Sequence, residues 1–434
     1  MMLLTSLLLI FIANISRTTI QVAASTTGSA NNGDEGFSRL VAWMNLHGGR
    51  VDGRIDVAEI NNGVRGVVAL ADIEDGAELL YCPWKLVIGS SGLQEQMQSG
   101  DDMCKVVKDM ADEIRLHEES LWWPYLEHIQ LPRLAAMWEQ QSTLDELQGL
   151  SPSEDATRHI KWFSQGCSAG SGNNVALDEA DMRSLVSFVS RASEVGMVPI
   201  YDLLNHHNGE KNAKLTLGET GVSLIAIGGG RPIPKGNEMY LSYGLKTAPT
   251  MYRDYGFVED WPCCWNWKDS TSGDNFAFVV FPDGVVAINP TADFLKMIRN
   301  FNSHSTSIGS GHMQVADFQA TARIHTESLP LEILVQFASA ARNHLDGLPT
   351  TLQEDLKILG QKKELLLVLV AQALEPDDDN DDGAAFRRRQ AAEDVISAIE
   401  YRCTFKKALE SALLCSEASA QAITETLSPQ QTEL

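Results

Sequence analysis

The hydrophobic pattern changes period repeatedly along the chain. Phe37, Leu40, Val41 and Met44 recur at helical spacing and stop at Gly48-Gly49, which predicts a helix over residues 37–48. From Val51 to Ile88, short β-favouring runs are divided by the turn signals Asn61-Asn62-Gly63 and Glu74-Asp75-Gly76, predicting strands. Leu93 to Ser184 reads mainly as helices. Strand character returns over Leu215–Ile227 and Met239–Tyr243, with a hairpin expected around Gly228-Gly229-Gly230 and a further turn at Pro234–Glu238. From about Asp293 the pattern is helical again, with long amphipathic runs at Leu352–Leu374 and Arg387–Leu414. Ser25 to Gly36 is small and polar, a flexible lead-in, and Glu375–Gly383 reads as a solvated acidic loop. No internal repeat is present.

A chain of 434 residues is long enough for two or three domains and a substantial core. Its formal net charge of −24 repels nucleic acid and suits a basic, lysine-bearing partner, although solubility alone explains it equally well. Residues 1–24 read as a signal or targeting peptide. Met1–Ala13 has the length of a signal-peptide core and not of a membrane span, and Val22-Ala23-Ala24 offers small residues for cleavage. This leader points to the secretory pathway, or to a plastid reached through it. An uncleaved anchor is the competing reading, and a non-functional leader would leave the chain cytoplasmic. No later stretch is apolar enough to span a bilayer. Seven scattered cysteines do not form the dense framework of a disulfide-stapled secreted domain, which favours ancestry in a reducing compartment and conflicts with the leader.

The chemistry concentrates between Ser190 and Phe257. Pro199-Ile-Tyr-Asp202-Leu-Leu-Asn205-His206 is followed by Leu241-Ser-Tyr243-Gly244 and then Asp254-Tyr255-Gly256-Phe257. Upstream lie Arg65-Gly66-Val67-Val68-Ala69 and Asp72-Ile73 with Gly76, Glu78 and Pro83. These motifs resemble the SET domain, the fold that transfers a methyl group from S-adenosylmethionine to a protein side chain. The order is most similar to the branch containing Rubisco large-subunit methyltransferase, in which Leu121–Leu126, Trp138 and Leu144–Gly149 would belong to a helical insertion.

The resemblance implies an α+β chain with seven segments: the leader 1–24, a linker 25–36, a first SET part 37–92, the helical insertion 93–184, a second SET part 185–260 with the catalytic motifs, a connector 261–290 and a helical substrate-binding-like domain 291–434. It implies S-adenosyl-L-methionine as cofactor, no metal, and a monomer acting on a protein lysine, most simply of a non-histone protein. Relatives that modify histidine make a histidine target the enzymatic alternative. A non-catalytic binding module of the same fold is the alternative from another class, and a Ser or Cys hydrolase lacks any nucleophile-bearing Gly-x-Ser-x-Gly turn.

Amine methylation requires a neutral nucleophile, a straight approach and exclusion of water. A free lysine, with a pKa of about 10.4, is uncharged in only on the order of one molecule in a thousand at neutral pH. A narrow apolar channel lowers that pKa, and alignment supplies most of the remaining acceleration. By the resemblance, Tyr243 is the aligning hydroxyl and Tyr255 lines the same channel; half-buried packing is the bland alternative for both. Asn205 and His206 are expected against the cofactor, through the Asn amide and the His main chain. Ser190-Arg191 matches the family's Ser-Arg, and Arg191 is expected to pair with the cofactor carboxylate. Arg65, Gly66 and Val67 are expected to pass their main chain along the cofactor, with Gly66 permitting close approach. Asp202 is expected to tie down its loop.

The chain departs from the family after Tyr-Gly, where Lys246-Thr247-Ala248-Pro249 replaces a Lys-Ser-Asn type of sequence, so Pro249 is expected to stiffen a loop. Asp378-x-Asn380-x-Asp382-Gly383 copies half of a calcium loop but has Arg389 where a bidentate Glu is required. Cys263-Cys264 lacks the spacing of a zinc site and is expected as buried thiols. Arg387-Arg388-Arg389 is expected as the wet face of a helix or as a contact for an acidic partner.

Overall fold

The computed structural model describes residues 35–61, 64–89, 100–138, 141–150, 157–167, 177–244, 246–259, 262–269, 272–281, 284–291, 315–373 and 382–427. The leader, most of the lead-in, Asn62-Gly63 and most of the acidic loop lie outside these residues.

The chain opens with helix α1 (Glu35–Leu46), whose Phe37, Leu40, Trp43 and Met44 are buried. Four strands follow: β1 (Arg50–Val51), β2 (Ile55–Asn61), β3 (Val64–Ala69) and β4 (Glu78–Pro83). β2 and β3 pair antiparallel, with Val57 opposite Val67. Between β4 and Asn205 the described chain is mainly helical, beginning with α2 (Gly100–Leu116), continuing through short helices and turns, and ending at α3 (Glu179–Arg191). α3 starts where it does because Asp178 and Asp181 form a reciprocal capping box, with Asp178 accepting the Asp181 N–H at 2.9 Å.

Then come β5 (Asn205–His206), β6 (Ala213–Leu217), β7 (Gly221–Ala226) and β8 (Tyr240–Leu241). One sheet has the order β1-β4-β7-β6, and β5 pairs with β8 in parallel. The expected hairpin around Gly228–Gly230 is corrected: the β6–β7 turn is at residues 218–220, where Gly218 N–H bonds the Gly221 carbonyl at 2.8 Å. Gly228 and Gly230 instead donate their N–H groups to the Asp75 carboxylate at 2.7 and 2.8 Å. A glycine run is a generic turn signal, and here it wraps a distant carboxylate.

Helix α4 (Ala248–Tyr255) follows β8. Pro249, expected to stiffen a loop, lies in its first turn, where a missing N–H costs nothing. β9 (Cys263–Lys268), β10 (Asn275–Val280) and β11 (Val286–Ile288) form an antiparallel sheet in the order β11-β10-β9. Helices α5 (Val315–Glu327), α6 (Leu331–Gly347), α7 (Leu352–Ala373) and α8 (Asp382–Leu427) complete the described chain.

Two large cores result. The first packs α1, the β1–β4 region and residues 195–241. The second joins Leu147 and Leu150 from the helical stretch between α2 and α3, Tyr252 of α4, Trp265 and Trp267 of β9, and Phe337, Tyr401 and Phe405 of the C-terminal helices. α4 links the two: its Tyr255 ring lies 4.9 Å from that of Tyr243, which packs against the first core, while Tyr252 lies in the second, its ring tilted against Tyr401 at 4.3 Å and its hydroxyl 2.8 Å from that of Ser397. Asp355, Arg402 and Lys406, all buried, tie α7 to α8; Lys406 Nζ is 2.6 Å from Asp355 Oδ2.

Cysteine usage departs from expectation. Cys104 of α2 and Cys167 form a disulfide, with Cα atoms 5.3 Å apart, a pairing that the scattered spacing did not suggest and that runs against an ancestry in a reducing compartment. Of the neighbouring pair, Cys264 is a buried free thiol, while Cys263 is only half-buried. Among the described residues, no helix is long and apolar enough to cross a membrane.

Candidate functional site

The site lies where the loop 192–204, strands β5 and β8, and the end of α4 converge. Ile200 holds a left-handed backbone (φ +71°) although it is β-branched and fully buried. That conformation is costly for such a residue and persists only when its surroundings demand it. It directs the next turn, Tyr201–Leu203, which runs into Asn205-His206.

Tyr243 leaves β8 with its hydroxyl donating to the Leu204 carbonyl at 2.7 Å. Its main-chain N–H donates to His206 Nδ1 at 2.9 Å, and the two rings stack at 4.9 Å. Because Nδ1 accepts, the partners assign the His206 proton to Nε2, which faces Glu259 Oε2 at 3.0 Å. Glu259 also accepts the Asn208 N–H and side-chain amide at 2.6 and 2.7 Å. Burial would raise the Glu259 carboxyl, but the His206 and Asn208 bonds outweigh it and hold the pKa below the ordinary carboxylate value. The His206 side chain is fully buried and Glu259 nearly so, making a fixed strut behind Tyr243.

Tyr255 ends α4, its ring 4.9 Å from that of Tyr243. Gly244 and Gly256, each following one of these tyrosines, have φ of +92° and +82°, which explains glycine after both. Tyr201, Tyr243 and Tyr255, with Arg191 and Asp202, line a cleft of about 300 Å³. Burial pushes all three phenols up, Tyr201 to about 12 and the others further. They are neutral hydroxyls across the physiological range.

Asp202 is buried, its Oδ2 accepting the Tyr125 hydroxyl at 3.0 Å. Its Oδ1 has no partner among the described residues. Burial raises its pKa to about 6, against the pull of Arg191 and the Tyr125 bond. Arg191 donates to the Asp202 carbonyl at 2.6 Å and to the Gln130 carbonyl, while its buried Nε is unpartnered among the described residues. Asp202 thus anchors its loop to Tyr125, and it also faces the cleft.

Behind Tyr243, Asn205 donates its amide hydrogens to the Arg65 carbonyl at 3.0 Å and to Glu238 Oε1 at 2.7 Å. This leaves the amide oxygen as the Asn205 acceptor. A Cβ on Gly66 would fall 2.4 Å from Glu238 Oε1 and 2.8 Å from Asn205 Nδ2, so glycine lets β3 lie against this pair. Arg65 reaches back to the His128 carbonyl at 2.9 Å. The Val67 carbonyl is taken by Met239 N–H at 2.7 Å and its side chain is core. The Ser190 hydroxyl donates to Val186 within its own helix at 2.7 Å.

The structure therefore gathers Tyr243, Tyr255, Arg191 and Ser190 on one side of the Asn205-His206 strand and Arg65-Gly66-Val67 on the other. Arg191 faces the tyrosine cleft. Sequence reasoning missed Tyr201, Glu238 and Glu259. Tyr201 sits inside the motif already singled out, whereas nothing local marks the two glutamates.

This arrangement defines a class: the chain has the SET fold. Among solved structures, it superposes on the SET domain of LSMT bound to lysine and AdoHcy, with a TM-score of 0.53 and 16% identity, covering 90% of this chain and 92% of that one. Rubisco LSMT bound to sinefungin and monomethyllysine matches with a TM-score of 0.52, 16% identity, and the same coverage of 90% and 92%. In sequence, the chain is 39% identical over 66 residues to N-lysine methyltransferase SETD6 of Bos taurus, a match covering 15% of this chain and only 14% of that protein. No family model matches.

Proposed function

We propose that the chain is an S-adenosylmethionine-dependent protein methyltransferase acting on a lysine side chain of a non-histone protein. The observation that carries this reading is the triad of neutral phenols, Tyr201, Tyr243 and Tyr255, around a small cleft abutting the Asn205-His206 strand. The solved structures that share the fold hold lysine or methyl-lysine together with AdoHcy or sinefungin, which supports the same pairing here.

The residues fit the donor. S-adenosylmethionine, when bound, supplies a methyl group on a positively charged sulfur. The Asn205 amide oxygen suits its ammonium group, and the main chain of Arg65, Gly66 and His206 shapes its bed. Val67 and Ser190 contribute shape only, since their polar groups are committed. Arg191 stands on the cleft side and orients what enters there. No metal is required, and among the described residues no cluster of metal-ligating side chains occurs.

The lysine arrives as an ammonium, drawn by the Asp202 carboxylate, which is ionised at neutral pH. Desolvation between the phenol rings favours the neutral amine, and the proton leaves to water at the mouth. Tyr243 already donates its proton to Leu204, so its oxygen accepts an amine N–H and fixes the lone pair. With S-adenosylmethionine bound, this lone pair would take the methyl group from its sulfur, leaving a neutral thioether, and the product's extra proton would pass to solvent at the mouth.

A histidine target uses the same cleft, and a binding module would retain the shape without transfer. Tritiated S-adenosylmethionine incubated with the protein and a host extract, followed by identification of the labelled residue, separates these. Label on lysine supports the proposal, label on histidine selects the alternative, and no label together with no cofactor affinity selects the module. We further propose an oxidising compartment, supported by the leader-like segment and by the Cys104–Cys167 disulfide.

A further inference from the structure

Outside the tyrosine cleft, the chain builds a second recess of about 470 Å³, where the start of α8 meets the insertion. Arg133, Thr143, Leu369, Arg387, Arg388 and Asp394 line it. Arg133 and Asp394 are paired at 2.7 Å, with Asp394 buried, so these two cancel and form the floor. Arg387 and Arg388 are exposed and have no ion-pair partner among the described residues. The recess therefore carries a local excess of two positive charges in a chain whose formal charge is −24. At physiological ionic strength charges are screened beyond roughly 8 Å, so the two arginines and not the distant acids set the potential there. Guanidinium forks match carboxylates geometrically.

The recess is mechanically joined to the tyrosine cleft. The Gln130 carbonyl holds Arg191, which lines that cleft, and Arg133 follows three residues later. Three residues span at most about 11 Å, Cα to Cα. The Arg133 carbonyl also packs beside Gly256, at 3.6 Å from where a Cβ would lie, directly after Tyr255.

We propose that this recess is the docking site for an acidic segment of the substrate polypeptide, with Asp or Glu about three to six residues from the methylated lysine. The inference rests on the methyltransferase reading for the word substrate, but its test does not. Fluorescein-labelled hexaglutamate is titrated with the full chain and followed by anisotropy. Saturable binding is expected, weakened at least tenfold by Arg387→Glu with Arg388→Glu and retained with Arg387→Lys with Arg388→Lys. Lys407→Glu, on the same helix and roughly 30 Å away, is expected to leave it unchanged. No binding by the wild type, or equal loss with Lys407→Glu, overturns the proposal. A tenfold gain on Asp377→Asn, Asp378→Asn and Asp379→Asn overturns it in favour of the chain's own acidic run as occupant. Methyl transfer is measured on the same samples, so that loss of docking and absence of catalysis are read separately.

Discussion

Replacing Glu259 by alanine tests the strut that holds Tyr243. The wild-type carboxylate accepts His206 Nε2–H at 3.0 Å and two Asn208 donors at 2.6 and 2.7 Å. Its side chain is only 9% exposed and that of His206 is 0% exposed, so the His206 donor has no water to replace it. Leaving a buried donor unsatisfied costs about 1–3 kcal/mol, and the His206 donor with the two donors of Asn208, itself buried, sums to at least about 3–5 kcal/mol. Against a total stability of about 5–15 kcal/mol, this is a large fraction. Scanning calorimetry should show Tm lowered by about 5 °C. Glu259→Gln keeps one acceptor but turns an amide toward a donor, and should cost about half as much. The His206 ring, freed to rotate, no longer accepts the Tyr243 N–H, so turnover should fall in both variants. The pH dependence follows from the lowered carboxyl. Its stabilisation is present above the ordinary glutamate pKa and is lost as pH falls through the folded value, so acid sensitivity below that ordinary value should be milder in Glu259→Gln. A Glu259→Ala protein with unchanged Tm and unchanged turnover would refute the strut.

Asp202 gives the opposite sign. Its folded pKa, raised by burial to about 6 from 3.8, means that the folded state holds the proton longer than the unfolded one. Stability should therefore decline between about pH 4 and 6, by about 3 kcal/mol, and Asp202→Asn should abolish that decline in urea titrations across the range. The Cys104–Cys167 bridge closes a loop of 63 residues, for which chain entropy predicts about 4 kcal/mol. Reduction, or Cys104→Ser with Cys167→Ser, should lower the urea midpoint accordingly; an unchanged midpoint would show that the pair contributes nothing.

What the sequence made legible is local. Asn205-His206, Tyr243-Gly244 and Tyr255-Gly256 each announce themselves within a few residues, because tight turns and a fixed strand leave short signatures. What it hid is long-range. His206 and Glu259 are 53 residues apart, Tyr125 and Asp202 are 77 apart, and no periodicity relates such partners. Cys104 and Cys167 likewise looked unrelated until α2 and the following turns brought them together. The glycine run at 228–230 misled because glycine marks a turn without saying which strands it joins. Pro249 reads as a loop stiffener or as a first-turn helix residue, and only the Thr247 cap decides.

The central claim is that the Tyr243 hydroxyl aligns the incoming amine while the donor is held elsewhere. Its most direct test is Tyr243→Phe, measured by single-turnover methyl transfer alongside calorimetric affinity for S-adenosylmethionine. The account predicts transfer slowed by about a hundredfold, the scale of a misaligned reactant, with cofactor affinity nearly unchanged. Transfer at the wild-type rate would contradict it.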